Sequence, residues 1–359
     1  MSHSSLAFAP PPSLLRLLLL AIFLLHAGQA NAAAASKISA VIVFGDSSAD
    51  TGNNNRIATL VKSDFPPYGR DFPGGGATGR FCNGRIAADF ISESLGLKPL
   101  VPAYLDQHYS ISDFATGVSF ASAGTGLDNA TAALPKVIPV WKEVEYFREY
   151  KQRLRRYMGK RKTNKVLEEA LYLISIGTND FVENYYLLPT RSAHLTVTQY
   201  QDFLLSILRD LVREVHRLGG RRFSMTSLPP MGCFPLERTA NVLDAHGCNR
   251  DQNEAAEGYN AKLRAMVEEL NSDLRGVEFV YADAYTKWTE MLRNPADYGF
   301  ENSEAGCCAT GEFELGYLCN KWSPYTCPDA SKYVFWDAFH PTEKAYKILA
   351  DYVLKTSSV

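Results

Sequence analysis

Four stretches of this chain end a short apolar run, or a small-residue run, in a turn whose groups suit acyl-transfer chemistry. Val41-Ile42-Val43-Phe44 leads into Gly45-Asp46-Ser47, which puts a hydroxyl directly after a β-rich segment. Further along come Gly124, then Gly177-Thr178-Asn179-Asp180, then Asp337-Ala338-Phe339-His340. A serine hydroxyl is a weak nucleophile until a base takes its proton, and an imidazole is a weak base unless an acceptor orients its other nitrogen. Asp337 and His340 meet the second need locally, because a spacing of three lets one turn bring both side chains to the same side. The tetrahedral intermediate of acyl transfer also needs fixed donors about 3 Å from its oxyanion. The candidates are the backbone N–H groups of Ser47 and Gly124 and the side-chain amide of Asn179. Singly, each has a plainer reading: a loop acid, a surface histidine ahead of a helix, a positive-φ glycine, a turn asparagine. Their combination points to a serine hydrolase.

The elements that must position these groups alternate in type. Strands are expected over Ala40 to Phe44, Gly117 to Phe120, Leu171 to Ile176, Arg222 to Thr226 and Val277 to Tyr281. Helical periodicity runs from Thr198 to Leu218 before Gly219, and from Asn253 to Leu274 before Gly276. Ile86 to Leu95, Trp141 to Tyr157 and Thr342 to Leu354 read the same way, the last entered through Pro341. Strands alternating with amphipathic helices predict a single α/β domain of three αβα layers around a parallel five-stranded sheet. In such sheets ligands gather beyond the carboxyl ends of the strands, where Ser47, Gly124 and Asn179 would all fall. No repeat or low-complexity linker divides the chain.

The N-terminus has the form of a secretory leader: Arg16, an uncharged apolar run from Leu17 to Leu25, then Ala30-Asn31-Ala32. Cleavage near Ala32 would leave residues 33–359 as one domain in an extracellular setting, with no stable membrane span. A net charge of −2 offers no electrostatic reason to expect nucleic acid, and the basic run Lys151 to Lys165 reads as the solvated face of an amphipathic helix. Seven cysteines in a secreted chain predict disulfides with one thiol left over. Cys233 and Cys248 flank a loop, whereas Cys307, Cys308, Cys319 and Cys327 crowd the segment before Asp337. Adjacent Cys307 and Cys308 each reach toward Cys319 or Cys327, in an order that spacing leaves open, and Cys82 is the expected free thiol. A four-cysteine zinc site is disfavoured by the lack of paired Cys-x-x-Cys knuckles. Asn129-Ala130-Thr131 is a glycosylation sequon. Neither a His-Glu-x-x-His helix nor a phosphate-binding lysine loop suggests a cofactor, and Gly74-Gly75-Gly76 reads as a flexible loop.

The block from Phe44-Gly45-Asp46-Ser47 to Asn54 resembles the opening of the GDSL esterase/lipase family of SGNH hydrolases, in its plant branch. The resemblance continues through Thr78-Gly79-Arg80-Phe81-Cys82-Asn83-Gly84-Arg85, Ser119 to Gly126, Ile176 to Asp180, Pro229-Pro230-Met231-Gly232-Cys233 and Tyr333 to Glu343, in the family's order. It implies Ser47 as nucleophile, His340 as general base, Asp337 as the acid that orients it, and Ser47, Gly124 and Asn179 as oxyanion donors. It also implies the SGNH fold with a flavodoxin-like sheet, in agreement with the lack of a Gly-x-Ser-x-Gly centre at Ser47. Ser48 departs from the leucine of the family's name, at a position after the nucleophile.

The function expected from these readings is hydrolysis of a small-molecule or polymeric ester through an acyl-enzyme, without metal or organic cofactor. An acyltransferase would use the same residues and hand the acyl group to an alcohol instead of water. A binding protein that had lost turnover would have no need of Ser47, Asn179, Asp337 and His340 together.

Overall fold

Strand β1 (Val41–Gly45) is buried along its whole length, and its side chains alternate between two apolar layers. Val41 and Val43 face one layer, Ile42 and Phe44 the other. In the computed structural model, which describes residues 38–356, β1 lies inside a sheet with β2 (Gly117–Ser119), β3 (Leu171–Ser175), β4 (Arg222–Thr226) and β5 (Glu278–Ala282). All pairings are parallel, in the order β2-β1-β3-β4-β5. This is the flavodoxin-like order, with its reversal between β1 and β3. The leader reading at residues 1–32 lies outside the described residues. Among those described, no helix is long and apolar enough to cross a membrane.

One face of the sheet carries α1 (Ala87–Ser94) and α7 (Glu343–Thr356), packed on Val41, Val43, Leu171 and Leu173. The other carries α2 (Val140–Met158), α4 (Val197–Leu218) and α5 (Arg250–Asp273), whose apolar stripes meet Phe44, Tyr172, Ile174 and Phe223. Local chemistry sets the ends of these helices. Thr196 and Gln199 form a reciprocal capping box at the start of α4, and Gly219 closes it at a φ of 127°. Asn249 caps α5 by accepting from the Gln252 N–H at 3.3 Å. The basic run spans two helices, because Gly159, at a φ of 80°, separates α2 from α3 (Lys160–Glu169). Leu154 of that run is buried, whereas Tyr157 is exposed. Helix α6 (Ala284–Arg293) follows β5.

A second, two-stranded sheet of β6 (Asn302–Gly306) and β7 (Tyr333–Phe335) has no counterpart among the strands expected from sequence. Asn302-Ser303-Glu304-Ala305-Gly306 lacks the β-branched and aromatic residues that mark a strand. Its pairing is set by what surrounds it. Cys307–Cys327 and Cys308–Cys319 are bonded just beyond β6, the Cys307 N–H donates to Phe335 at 3.0 Å and the Cys308 N–H to Trp336 at 2.7 Å. The remaining disulfide joins Cys233 to Cys248, and Cys82 is a buried free thiol. The order that spacing leaves open is thus Cys307 with Cys327 and Cys308 with Cys319.

A buried ion pair joins the block around residue 80 to this framework. Arg80 grips both oxygens of Asp89 at 2.8 Å, while Asp89 also accepts from the backbone of Ile86 and Val101. Arg80 in turn donates to the carbonyls of Thr51 and Val101. Leaving one partner of such a pair alone costs about 3–5 kcal/mol. We therefore expect Arg80→Met to lower the free energy of unfolding by about 3 kcal/mol, read as a lower urea midpoint at unchanged slope. A midpoint shift worth under about 1 kcal/mol would show that the pair contributes little.

Candidate active site

Gly45 ends β1 opposite Ser175 of β3. A Cβ there would stand 2.0 Å from the Ser175 carbonyl oxygen, and the φ of 144° is one that only glycine adopts freely. The chain then turns: Ala49 N–H and Asp50 N–H both donate back to the Asp46 carbonyl, at 3.0 and 2.9 Å. Ser47 is thereby held at the carboxyl end of the strand, buried to 6% exposure.

Asp50, fully buried, accepts from Gly52 N–H and Asn53 N–H at 2.7 Å in its own loop. Its other oxygen takes the Ala123 N–H at 3.0 Å, in the loop beyond β2. Asn53 donates to the carbonyls of Ser119 and Ala121, and Asn54 to that of Ala123. Three polar residues after the candidate nucleophile thus stitch its loop to the loop of Gly124. Gly124 itself has a φ of 80°, in the left-handed region. The loop beyond β3 joins the same structure: the Asn179 amide donates to Thr125 O at 2.9 Å, and Asp180 accepts from Leu127 N–H, Asp128 N–H and the Thr131 hydroxyl. Asn129, the sequon asparagine, is exposed at this edge.

Strand β7 delivers the other half. Trp336 N–H donates to His340 O at 2.7 Å, and Phe335 pairs with Pro341, which closes residues 337–340 into a tight turn. Inside it, Asp337 accepts from the N–H groups of Phe339 and His340 at 2.9 and 2.7 Å. The His340 Nδ1 lies 3.0 and 2.9 Å from the two Asp337 oxygens, and its Nε2 lies 2.8 Å from Ser47 Oγ. Asp337 is fully buried and His340 is 4% exposed. Asn83 accepts from Glu343 N–H at 2.9 Å and Arg85 pairs with the Glu343 carboxylate, which docks the start of α7 onto the block around residue 80. The Leu236 N–H donates to Ala338 O, and Phe234 packs at a tilt against Phe339 with ring centroids 4.6 Å apart, so the segment after Cys233 supports the turn.

All the site residues expected from sequence therefore meet. Ser47, Gly124, Asn179 and His340 line one cleft of about 250 Å³, with Asp337 directly behind His340. No group of three or more metal-binding side chains occurs among the described residues.

The family model for GDSL-like lipase/acylhydrolase matches residues 41–353. The chain belongs to this family, a class of carboxylic ester hydrolases. It is similar to the Arabidopsis thaliana protein named GDSL esterase/lipase At4g26790, at 56% identity over 89% of this chain and 91% of that protein. GDSL esterase/lipase At2g42990 of the same plant is 54% identical over 90% of this chain and 92% of its own. The solved structure of a catalytic mutant of an acetylxylan esterase from Geobacillus stearothermophilus covers 89% of this chain and 95% of its own. Its TM-score of 0.40 and 16% identity are too low to bear on substrate.

Two residues of the site escaped the sequence reading. Tyr68, 1% exposed, donates its hydroxyl to Asp337 Oδ2 at 2.7 Å and accepts from Gly316 N–H at 2.9 Å. Burial and the neighbouring Asp337 charge push its own ionisation well above the usual phenol range. It lies 269 residues from Asp337, and nothing in Pro66-Pro67-Tyr68-Gly69 announces that partner. Glu183 lines the cleft one turn after Asn179, on a π-helical segment, Asp180–Leu187. Its spacing of four from Asn179 was the available signal.

Burial, with Asp180 and then Asp46 nearby, pushes the Glu183 carboxyl up to about 7. Its unfolded value is about 4.3, so between those pH values the native state keeps a proton that the unfolded chain has released. The contribution of Glu183 to stability is then greatest below about pH 4 and falls as pH rises toward 7. Asp180, raised by burial to about 7, and Asp50, raised to about 6, act in the same direction. Urea unfolding from pH 5 to pH 8 should show this decline, and Glu183→Gln should shrink it by on the order of 1–3 kcal/mol. An unaltered decline in the variant would remove Glu183 as its source.

Proposed function

We propose that the protein is a secreted serine esterase working through an acyl-enzyme, with Ser47 as nucleophile, His340 as general base and acid, and Asp337 as the group that orients His340. The observation that carries this reading is the continuous hydrogen-bonded line from Asp337 through His340 to Ser47, at 2.9 and 2.8 Å. Asp337 holds the proton on Nδ1, which leaves Nε2 free to accept from the serine hydroxyl. As Ser47 Oγ attacks the ester carbonyl, its proton passes to His340 Nε2 and the carbonyl π electrons move onto oxygen. The N–H groups of Ser47 and Gly124 and the Asn179 amide receive that charge. His340 then gives its proton to the departing alkoxide. Water enters the cleft, loses a proton to His340 and attacks the acyl-enzyme, and collapse of the second intermediate releases the acid and returns the proton to Ser47. No step calls on a metal or an organic cofactor.

The leader-like N-terminus and the three disulfides support an extracellular location, since such bonds persist in oxidising compartments. On this reading the mature chain begins near Ala33 and forms one domain. Its substrate is a small-molecule or polymeric ester.

Ser47→Ala should lower kcat/KM on any ester the protein hydrolyses by at least about a thousandfold with folding intact. The assay is acid release from acetyl, short-chain, long-chain and phenolic esters, with and without an acceptor alcohol. Equal rates in both proteins would overturn the role of Ser47, and diversion of product to a new ester would move the reading to acyl transfer. Tyr68→Phe removes one donor from Asp337 and leaves Gly316 N–H unpaired. We expect kcat to drop by about 5- to 30-fold, roughly 1–2 kcal/mol, with KM little changed. An unchanged kcat would make Tyr68 purely structural.

A further inference from the structure

The catalytic cleft is not the only cavity that reaches Ser47 and His340. A second one, of about 130 Å³, lies between the sheet and helices α1, α6 and α7, and Ser47, Phe339 and His340 belong to the walls of both. It runs down the strands away from their carboxyl ends. Gly45 pairs with Ser175 at the level of the turn, while Val43, Leu173 and Ser224 form the next inward row two residues deeper, about 7 Å along the strand direction.

Small side chains set among the larger ones on both walls leave room for the cavity. Ser175 and Ser224 come from the sheet, and Ala88, Ala284 and Ala350 from the three helices opposite. Larger residues at these positions would have closed the seam between the two apolar clusters that meet here. Two wall hydroxyls, Ser224 Oγ and Tyr346 OH, are buried without any partner, at 1% and 3% residue exposure. A buried orphan hydroxyl costs about 1–3 kcal/mol, so the fold carries both a void and unpaired groups where a leucine would serve stability better. Such a sacrifice beside a reactive group is the usual mark of a site kept open for a ligand.

We propose that this cavity receives the acyl portion of the ester, and that it fits a chain of about six carbons, since an apolar cavity of roughly 150 Å³ accepts a benzene ring. The inference rests on Ser47 forming an acyl-enzyme. The division of labour follows from the order of events. The alcohol must leave and water must enter through the cleft that holds Gly124, Asn179 and Glu183, whereas the acyl group stays bonded to Ser47 in between. A separate, largely apolar compartment holds it without obstructing that exchange.

The test is the ratio of kcat/KM for hexanoyl over acetyl p-nitrophenyl esters, within a series extended to dodecanoyl, on the full-length protein. For the wild type we expect the ratio to exceed about ten and activity to decline beyond octanoyl. Ser224→Leu, which fills the cavity and removes an orphan hydroxyl, should cut the ratio at least tenfold without lowering the thermal midpoint. Ala350→Leu, on the opposite wall, should do the same, so a folding defect in one variant leaves the other to decide. A wild type indifferent to chain length, or folded variants with the wild-type profile, would overturn the proposal. A general loss of activity lowers both esters together and leaves the ratio unmoved. Ser47→Ala separates the two levels: if it retains hydrolysis, the serine reading fails, whereas a dead Ser47→Ala with an unaltered chain profile in the cavity variants refutes the acyl compartment alone.

Discussion

Buried carboxyl groups that collect backbone N–H donors hold this site together. Loops at the end of a parallel sheet leave the ladder and would strand their amides in a dry interior. Asp50 and Asp180 answer that problem, each with no exposed surface and each bridging two loops. Glu143, reaching up from α2, takes the Gly45 N–H at 3.0 Å in the same way. Burial raises the ionisation of all three, Glu143 well beyond the usual carboxylate range. The loops that carry Ser47, Gly124 and Asn179 are therefore one cross-linked unit, and a small displacement of any of them would be shared by the others.

The opposite half of the site is secured by different means. Trp336 is fully buried, Arg70 lies 4.9 Å over its ring, and Arg70 also donates to Cys327 O at 2.7 Å. With the two disulfides beyond β6, these contacts give the Asp337–His340 turn a rigid support that its few local hydrogen bonds would not supply. Tyr68 belongs to this support and to the site at once. Its hydroxyl ties Asp337 to Gly316, inside the loop that the disulfides enclose. Rigid supporting shells of this kind keep catalytic side chains near productive geometry.

How much was legible in advance varies with how local the cause is. The five strands of the main sheet and the principal helices were readable because period 2 and period 3.6 are written in neighbouring residues. Arg222–Thr226 coincides with its expectation, the starts at Gly117 and Leu171 and the helix end at Leu218 do too, and the other ends shift by one to three residues. Strand β6 was invisible, because Asn302 to Gly306 is extended only through its pairing with β7 beside two disulfides. The π-helical turn after Asn179 was equally silent. Phe203 fits the apolar rhythm of α4 yet is 39% exposed, since Tyr200, Leu204 and Leu208 define the buried stripe.

The sequence by itself determined the local half of the chemistry. It placed Ser47, Gly124 and Asn179 after strands, and it set Asp337 three residues from His340, where one turn suffices to join them. It also narrowed the cysteines to one loop pair, four crowded partners and one free thiol. Only tertiary structure decided what depends on distance along the chain. His340 meets Ser47 across 293 residues, Tyr68 meets Asp337 across 269, and the choice of Cys327 for Cys307 follows from where β7 lies. The compartment beneath Ser47 is of the same kind, because a void is a property of facing walls. Alanines and serines scattered from Ala88 to Ala350 have no common pattern until the sheet and three helices bring them together.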